Sequence, residues 1–171
     1  MRIALGHQSR VGKDTFAEMI RNDADVETHM VRIAQPIADI VDGIQDNLGL
    51  ARAKDGVLMQ KLGSLLRWHY GDTLFIDLAM NQVERMERDW SNENIIVTDM
   101  RDPIEYDALV AAGFTTIRIT RPGRTIDRDP SHSSEVGLRG YDFDYVVENS
   151  GSLDDLRDEV RRITGEIQNK K

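Results

Sequence analysis

Gly12, Lys13, Asp14 and Thr15 follow a short apolar run near the start of the chain, and that order of residue types suits the holding of phosphate. Ile3-Ala4-Leu5 reads as a strand, Gly6 to Lys13 as a loop, and Asp14-Thr15-Phe16-Ala17 as the opening of a helix. Strand, glycine-bearing loop ending in Gly-Lys, then helix is the layout of a phosphate-binding P-loop. Backbone N–H groups in such a loop curl around phosphate oxygens, and the helix points its positive end at the same anion. Lys13 adds a point charge for the β- and γ-phosphates of a nucleotide. Arg10 and Val11 complete the candidate nucleotide contacts with Gly12, Lys13, Asp14 and Thr15. The strict spacing places the first glycine where this chain has His7; Gly6 lies one position early. Asp14 stands where Ser or Thr is usual, so Thr15 supplies the hydroxyl and Asp14 is placed to hold a metal through water.

Asp99 is the second anchor. Asn94 to Thr98 is a continuous β-branched run of the kind found in central parallel strands, and it ends in Asp99-Met100-Arg101. A carboxylate at the carboxyl end of such a strand organises a metal or acts as a base. Arg101 is in reach of a phosphate at the same edge. The plainer alternatives are a turn-forming Asp99 and an Arg101 paired with Glu105 or Asp102. Arg67 beside Trp68 offers a cationic fork and an aromatic plate for a nucleotide monophosphate; the alternative is a core Trp68 and a solvated Arg67. Residues 121–135 hold two prolines and three arginines, Arg121, Arg124 and Arg128. A polar stretch of this length reads as a lid whose arginines close over a triphosphate, or as a solvated loop.

These residues need a scaffold. The first helix buries Phe16, Met19 and Ile20. His29 to Ala34 alternates as a second strand. Pro36 opens a helix with the stripe Ile37, Ile40, Val41 and Ile44. About Asp55 to Tyr70 forms a helix whose buried face is Val57, Leu58, Leu62, Leu65 and Leu66. The next, about Asp72 to Asp89, buries Phe75, Leu78, Ala79, Val83 and Met86. Asp102 caps a helix with Pro103 at its first position and Glu105 on its first turn. Thr115 to Thr120 and Asp144 to Val147 are the fourth and fifth strands, and Leu153 to Ile167 a last helix turning Leu153, Leu156, Val160 and Ile163 inward. Strands alternating with helices make an α/β fold: a five-stranded parallel sheet with helices on both faces, three layers deep. Its active edge lies at the carboxyl ends of the strands, where Lys13, Asp99 and the lid converge.

The 171 residues fit a single domain. Net charge is −8, which argues against a nucleic-acid polymer as the main partner. Arginine supplies 17 of the 22 basic residues, and arginine binds phosphate bidentately. With no cysteine, disulfides and thiolate metal sites are excluded. No apolar run spans a membrane and the chain opens on a strand rather than a leader, so a cytoplasmic location is expected.

With these residues in order, the chain resembles the deoxynucleoside monophosphate kinases of phages, within the P-loop nucleoside monophosphate kinase group. The resemblance runs from Ile3 to about Ile163. It is carried by Gly12 to Thr15, Ala34-Gln35-Pro36, Gln60 to Ser64, Asp99 to Glu105, His132-Ser133-Ser134-Glu135, and Asp144 to Asn149 with Gly151 and Leu153. The chain departs from that pattern at Val11, Asp102 and Ile104. The resemblance implies transfer of the ATP γ-phosphoryl group to a deoxynucleoside 5′-monophosphate (dNMP), with ATP and Mg2+ as cofactors. It implies a helical monophosphate-binding region over about 35–90, a lid over about 121–142, a host-cell cytoplasmic location for a phage protein, and a homodimer. Lys13, Asp99, Arg101, Arg124 and Arg128 are then the catalytic candidates. Arg67, Trp68, Arg101, Glu105, His132 and Glu135 are the acceptor contacts, and Asp14, Thr15 and Asp99 face the metal. Two other readings stay open: another small-molecule kinase of the dephospho-coenzyme A or phosphomevalonate type, and a nucleotide-binding protein that performs no transfer.

Overall fold

The computed structural model describes residues 1–6, 8–90, 92–125 and 129–170. Five parallel strands form one sheet in the order β2-β3-β1-β4-β5. They are β1 (Arg2–Gly6), β2 (Thr28–Val31), β3 (Asn94–Met100), β4 (Thr115–Thr120) and β5 (Tyr145–Glu148). The central strand β1 pairs Ile3 with Ile96 of β3 and with Thr115 of β4. From β1 the chain first builds the β2 and β3 side, then crosses to β4 and β5. The carboxyl end of β1 is therefore the point where the winding reverses, and a crevice opens there.

Both faces of the sheet are apolar because both are covered. On one face Ile3, Leu5, Ile96 and Ile117 pack against α1 (Lys13–Asp23) and α7 (Leu153–Asn169) through Phe16, Ile20, Leu156, Val160 and Ile163. On the other, Ala4, Ile95 and Val97 meet α2 (Gln35–Asn47), α4 (Leu74–Asp89) and α5 (Pro103–Ala111) through Ile37, Phe75, Ala79, Val83 and Leu109. The remaining helices are α3 (Gly56–Tyr70) and a single turn, α6 (Ser133–Val136). Asp102 caps α5 in a reciprocal box with Glu105, as the sequence predicts. Among the described residues, no helix is long and apolar enough to cross a membrane.

The structure corrects the sequence reading in several places. Strand β2 stops at Val31 and does not reach Ala34. The Ile33 and Ala34 amides are taken by the carboxylate of Asp99, so they cannot extend the ladder. The buried positions of α3 are Gly56, Gln60 and Gly63, while Val57 and Leu65 are exposed. This helix approaches α2 edge on: a Cβ at Gly63 would come within 3.1 Å of Ile37 Cδ1. Ile40 and Ile44 of α2, Leu78 of α4 and Leu153 of α7 are exposed as well. Helical periodicity marks an apolar stripe, but the width of the partner surface decides how much of it is covered. Residues 121–142 also carry the turn α6, which periodicity could not show in four residues.

Candidate functional site

A cleft of about 820 Å3 opens at the carboxyl edge of the sheet. Ser9, Arg10, Gly12, Lys13, Asp14 and Thr15 line one end. Thr98, Asp99, Arg101 and Glu105 form the floor, and α2 and α3 wall the far end with Ile37, Val41, Met59 and Arg67. The β1–α1 turn places the loop over the amino terminus of α1. Gly12 is its pivot: φ is +100°, and a Cβ there would lie 2.4 Å from Asn149 Nδ2. Asn149 donates that amide to the Val11 carbonyl at 2.9 Å, while its own backbone N–H is held by Thr120 at the end of β4. The Val11 side chain is fully buried in the core, so only its main chain faces the loop. Arg10 adopts φ +57°, a strained conformation for a non-glycine residue.

Lys13 is 7% exposed and donates to the Gln8 carbonyl within its own loop. Burial pushes its amine down to about 7, helped by the charge of Arg101 and opposed by Asp99, Asp14 and Glu135. Asp14 is exposed and pairs loosely with Arg32 at 3.6 Å. Asp99 receives Ile33 N–H at 2.8 Å and Ala34 N–H at 3.0 Å, tying the β2–α2 loop to the end of β3.

A second cluster surrounds Glu135, which is 1% exposed. Its carboxylate accepts from Arg101 Nη1 at 2.8 Å, Arg124 Nη2 at 3.3 Å and the Ser9 amide at 3.1 Å. Arg124 also donates to the Ser9 carbonyl at 2.9 Å. Glu105 accepts from Arg67 Nη2 at 3.1 Å and from the Arg101 and Asp102 amides. Burial raises the Glu105 carboxyl to about 7, against the pull of the Arg101 amide and the Arg67 charge. The segment around α6 is fastened to α3: the Gln60 amide bonds both the N–H and C=O of Asp129, and His132 Nε2 bonds Ser64 Oγ at 3.1 Å. Burial lowers the basicity of His132.

The structure thus gathers Lys13, Asp99, Arg101, Arg67, Glu105, Arg124, His132 and Glu135 about one cleft. Trp68 is outside it. The indole is 80% exposed and tilts against His69, so it serves neither as core nor as a wall of the cleft. Arg128 lies outside the described residues. Sequence reasoning missed Ser9, Gln60, Thr98 and Asn149 as site residues. The position of Asn149 just past β5, on the same edge as Asp99, was a usable signal.

Among the described residues, no cluster of three or more histidine, aspartate or glutamate side chains could hold a metal alone. Mg2+ takes one or two carboxylates and completes its shell with water and phosphate oxygens. Asp14 and Asp99 are the carboxylates at hand. Thr98 lines the same cleft, and its buried hydroxyl has no hydrogen-bond partner among the described residues.

Over the whole fold the chain is similar to shikimate kinase from Aquifex aeolicus, with a TM-score of 0.52, 16% identity, and 99% and 98% of the two chains covered. A tunicamycin resistance protein from Deinococcus radiodurans superposes with a TM-score of 0.56 at 12% identity over 95% and 94%. In sequence it is 32% identical over 127 residues to the deoxynucleotide monophosphate kinase of Enterobacteria phage T4, covering 73% of this chain and 49% of that protein. A Vibrio campbellii protein named 2-dehydro-3-deoxyphosphooctonate aldolase is 34% identical over 72% of this chain and 43% of its own. The chain therefore spans about half the length of the curated relatives it matches. The family model "Deoxynucleotide monophosphate kinase" matches residues 54–160, which hold α3, Asp99, Arg101 and Glu135. The family model covers more than half of the chain, and the phage relative is 32% identical over 73% of it, so the chain belongs to the deoxynucleotide monophosphate kinase family.

Proposed function

We propose that this chain transfers the γ-phosphoryl group of ATP to a deoxynucleoside 5′-monophosphate. An oxygen of the acceptor phosphate attacks the γ-phosphorus, the bond to the β–γ bridging oxygen breaks, and dNDP and ADP leave. One observation carries the reading: a Gly-Lys loop and the arginines Arg67 and Arg101 line a single cleft. Such a reaction asks chiefly for positioning and charge neutralisation.

The loop amides and Lys13 hold the ATP phosphates. Arg101 and Arg67 clamp the acceptor phosphate, each kept in place by a buried carboxylate, Glu135 and Glu105. Arg124 approaches the loop from residues 121–142, which we read as the lid, and Arg128 is a further lid candidate. His132 holds the lid against α3. The acceptor base falls to the apolar wall of Ile37, Val41 and Met59 within the region 35–90 rather than to Trp68. Magnesium, when bound, neutralises charge on the β- and γ-phosphates; Asp14, Thr15 and Asp99 are the residues proposed to hold it. Ile40 and Ile44 on α2 and Leu48 just past its end are exposed and support a homodimer, and a cytoplasmic setting suits a nucleotide kinase.

The aldolase name belongs to those relatives. The open parallel sheet and the Gly-Lys loop favour phosphoryl transfer for this chain. The test is an acceptor panel: the four dNMPs and four NMPs with ATP and magnesium, read as ADP formed. Acceptor-dependent ADP with at least one dNMP is expected. ATP binding with no acceptor-dependent ADP would overturn the reading.

A further inference from the structure

Thr98 is the residue before Asp99 on β3, in the stretch between Val97 and Met100 where the pairing with β1 shifts register. Its side chain is 1% exposed and lines the cleft with Lys13 and Asp14. Its hydroxyl oxygen is sealed from bulk water and has no hydrogen-bond partner among the described residues. Two other buried side-chain atoms lack a hydrogen bond, Glu87 Oε1 and Arg118 Nε. Neither stands alone: Glu87 Oε1 itself lies 2.6 Å from Arg2 Nη2 in an ion pair, and Arg118 donates through Nη2 to the Leu138 and Tyr141 carbonyls. Thr98 alone among the three leaves its whole polar group unbonded.

A buried hydroxyl without a partner is a standing cost that valine, of the same shape, would avoid. Groups kept at such a cost inside a cleft are candidates for work there. The loop, moreover, has Asp14 where a hydroxyl is usual after the lysine. We infer that the Thr98 hydroxyl is a ligand-binding group: it bonds either a phosphate oxygen of the bound nucleotide or a water held by the accompanying metal ion. The inference rests on the proposed nucleotide site. It assigns the missing hydroxyl to the end of β3.

Three chains decide it: the parent, Thr98→Val and Thr98→Ser. Calorimetry gives the affinity for ATP with magnesium and, separately, with EDTA; denaturation gives the midpoint of the free chain. Thr98→Val is expected to keep or raise that midpoint, since it removes an unpaired hydroxyl, and to weaken ATP binding about tenfold. Thr98→Ser, which retains the hydroxyl, restores the affinity. A weakening seen in both buffers identifies a phosphate oxygen; one confined to magnesium identifies a metal-held water. Parent-like affinity in Thr98→Val overturns the inference, as does a weakening that Thr98→Ser shares. Failure of the parent chain to bind ATP in either buffer would fell the proposed function and this inference together, a different outcome from normal parent binding with an indifferent valine variant.

Discussion

The Glu135 carboxylate accepts the Ser9 amide at 3.1 Å, although 126 residues separate them. The same carboxylate holds Arg101 and Arg124, so one buried charge joins the phosphate loop, the end of β3 and the lid. Two cations and one anion share a nearly water-free site, and the second cation keeps a net positive charge there for a phosphate to meet.

Glu135→Gln keeps the shape but turns an amide N–H toward donors. It is expected to lower stability by about 3 kcal/mol, because two buried guanidiniums lose their counter-ion. It should also raise KM for the acceptor by more than KM for ATP. Denaturant unfolding and two-substrate kinetics check this. Parent-like stability would mean that the arginines find other partners.

Lys13 sits near 7 in the free chain because burial disfavours its charge. Phosphate at the loop restores the reason to be charged, so ATP binding must take up a proton. We expect an uptake of roughly 0.8 proton at pH 8, falling toward zero at pH 6. Calorimetry in buffers of different ionisation enthalpy measures it. Lys13→Arg, always charged, should abolish the uptake.

Glu105 is raised to about 7 from 4.5. Its folded-state value lies above its unfolded one, so the stability it contributes is fully present below pH 4.5 and lost as pH rises to about 7. The loss across that window is about 3 kcal/mol. Glu105→Gln should flatten this part of the stability profile, read as unfolding midpoints from pH 4 to pH 8. Lys13 acts with the opposite sign: its contribution is present above 10.5 and lost as pH falls to about 7.

Asp99→Asn leaves one oxygen to accept where two amides, of Ile33 and Ala34, now bond. The new NH2 group faces an N–H. A stability loss of about 1–3 kcal/mol is expected, with faster amide hydrogen exchange at Ile33 and Ala34. Unchanged exchange there would show that the loop is held by other means.

Trp68→Ala removes a large aromatic group that touches little. Stability should change by less than about 0.5 kcal/mol, and kcat/KM for the acceptor should stay near the parent value. A large rise in acceptor KM would return the indole to the binding site.

The local order of residues determined the phosphate loop, the five strands and the Asp102 cap. Ile3 to Thr15 and Asn94 to Arg101 are contiguous signals, and propensity, periodicity and capping act over a few residues. Tertiary structure decided the partnerships. No spacing announces that Glu135 reaches Ser9, that Asp99 ends β2, or that Asn149 backs Gly12, because those bonds exist only after the strand order 2-3-1-4-5 brings distant loops to one edge. The same holds for Trp68: a hydrophobic residue on an amphipathic helix is buried only as far as its neighbours extend, and the packing of α3 against α2 and the lid stops short of it.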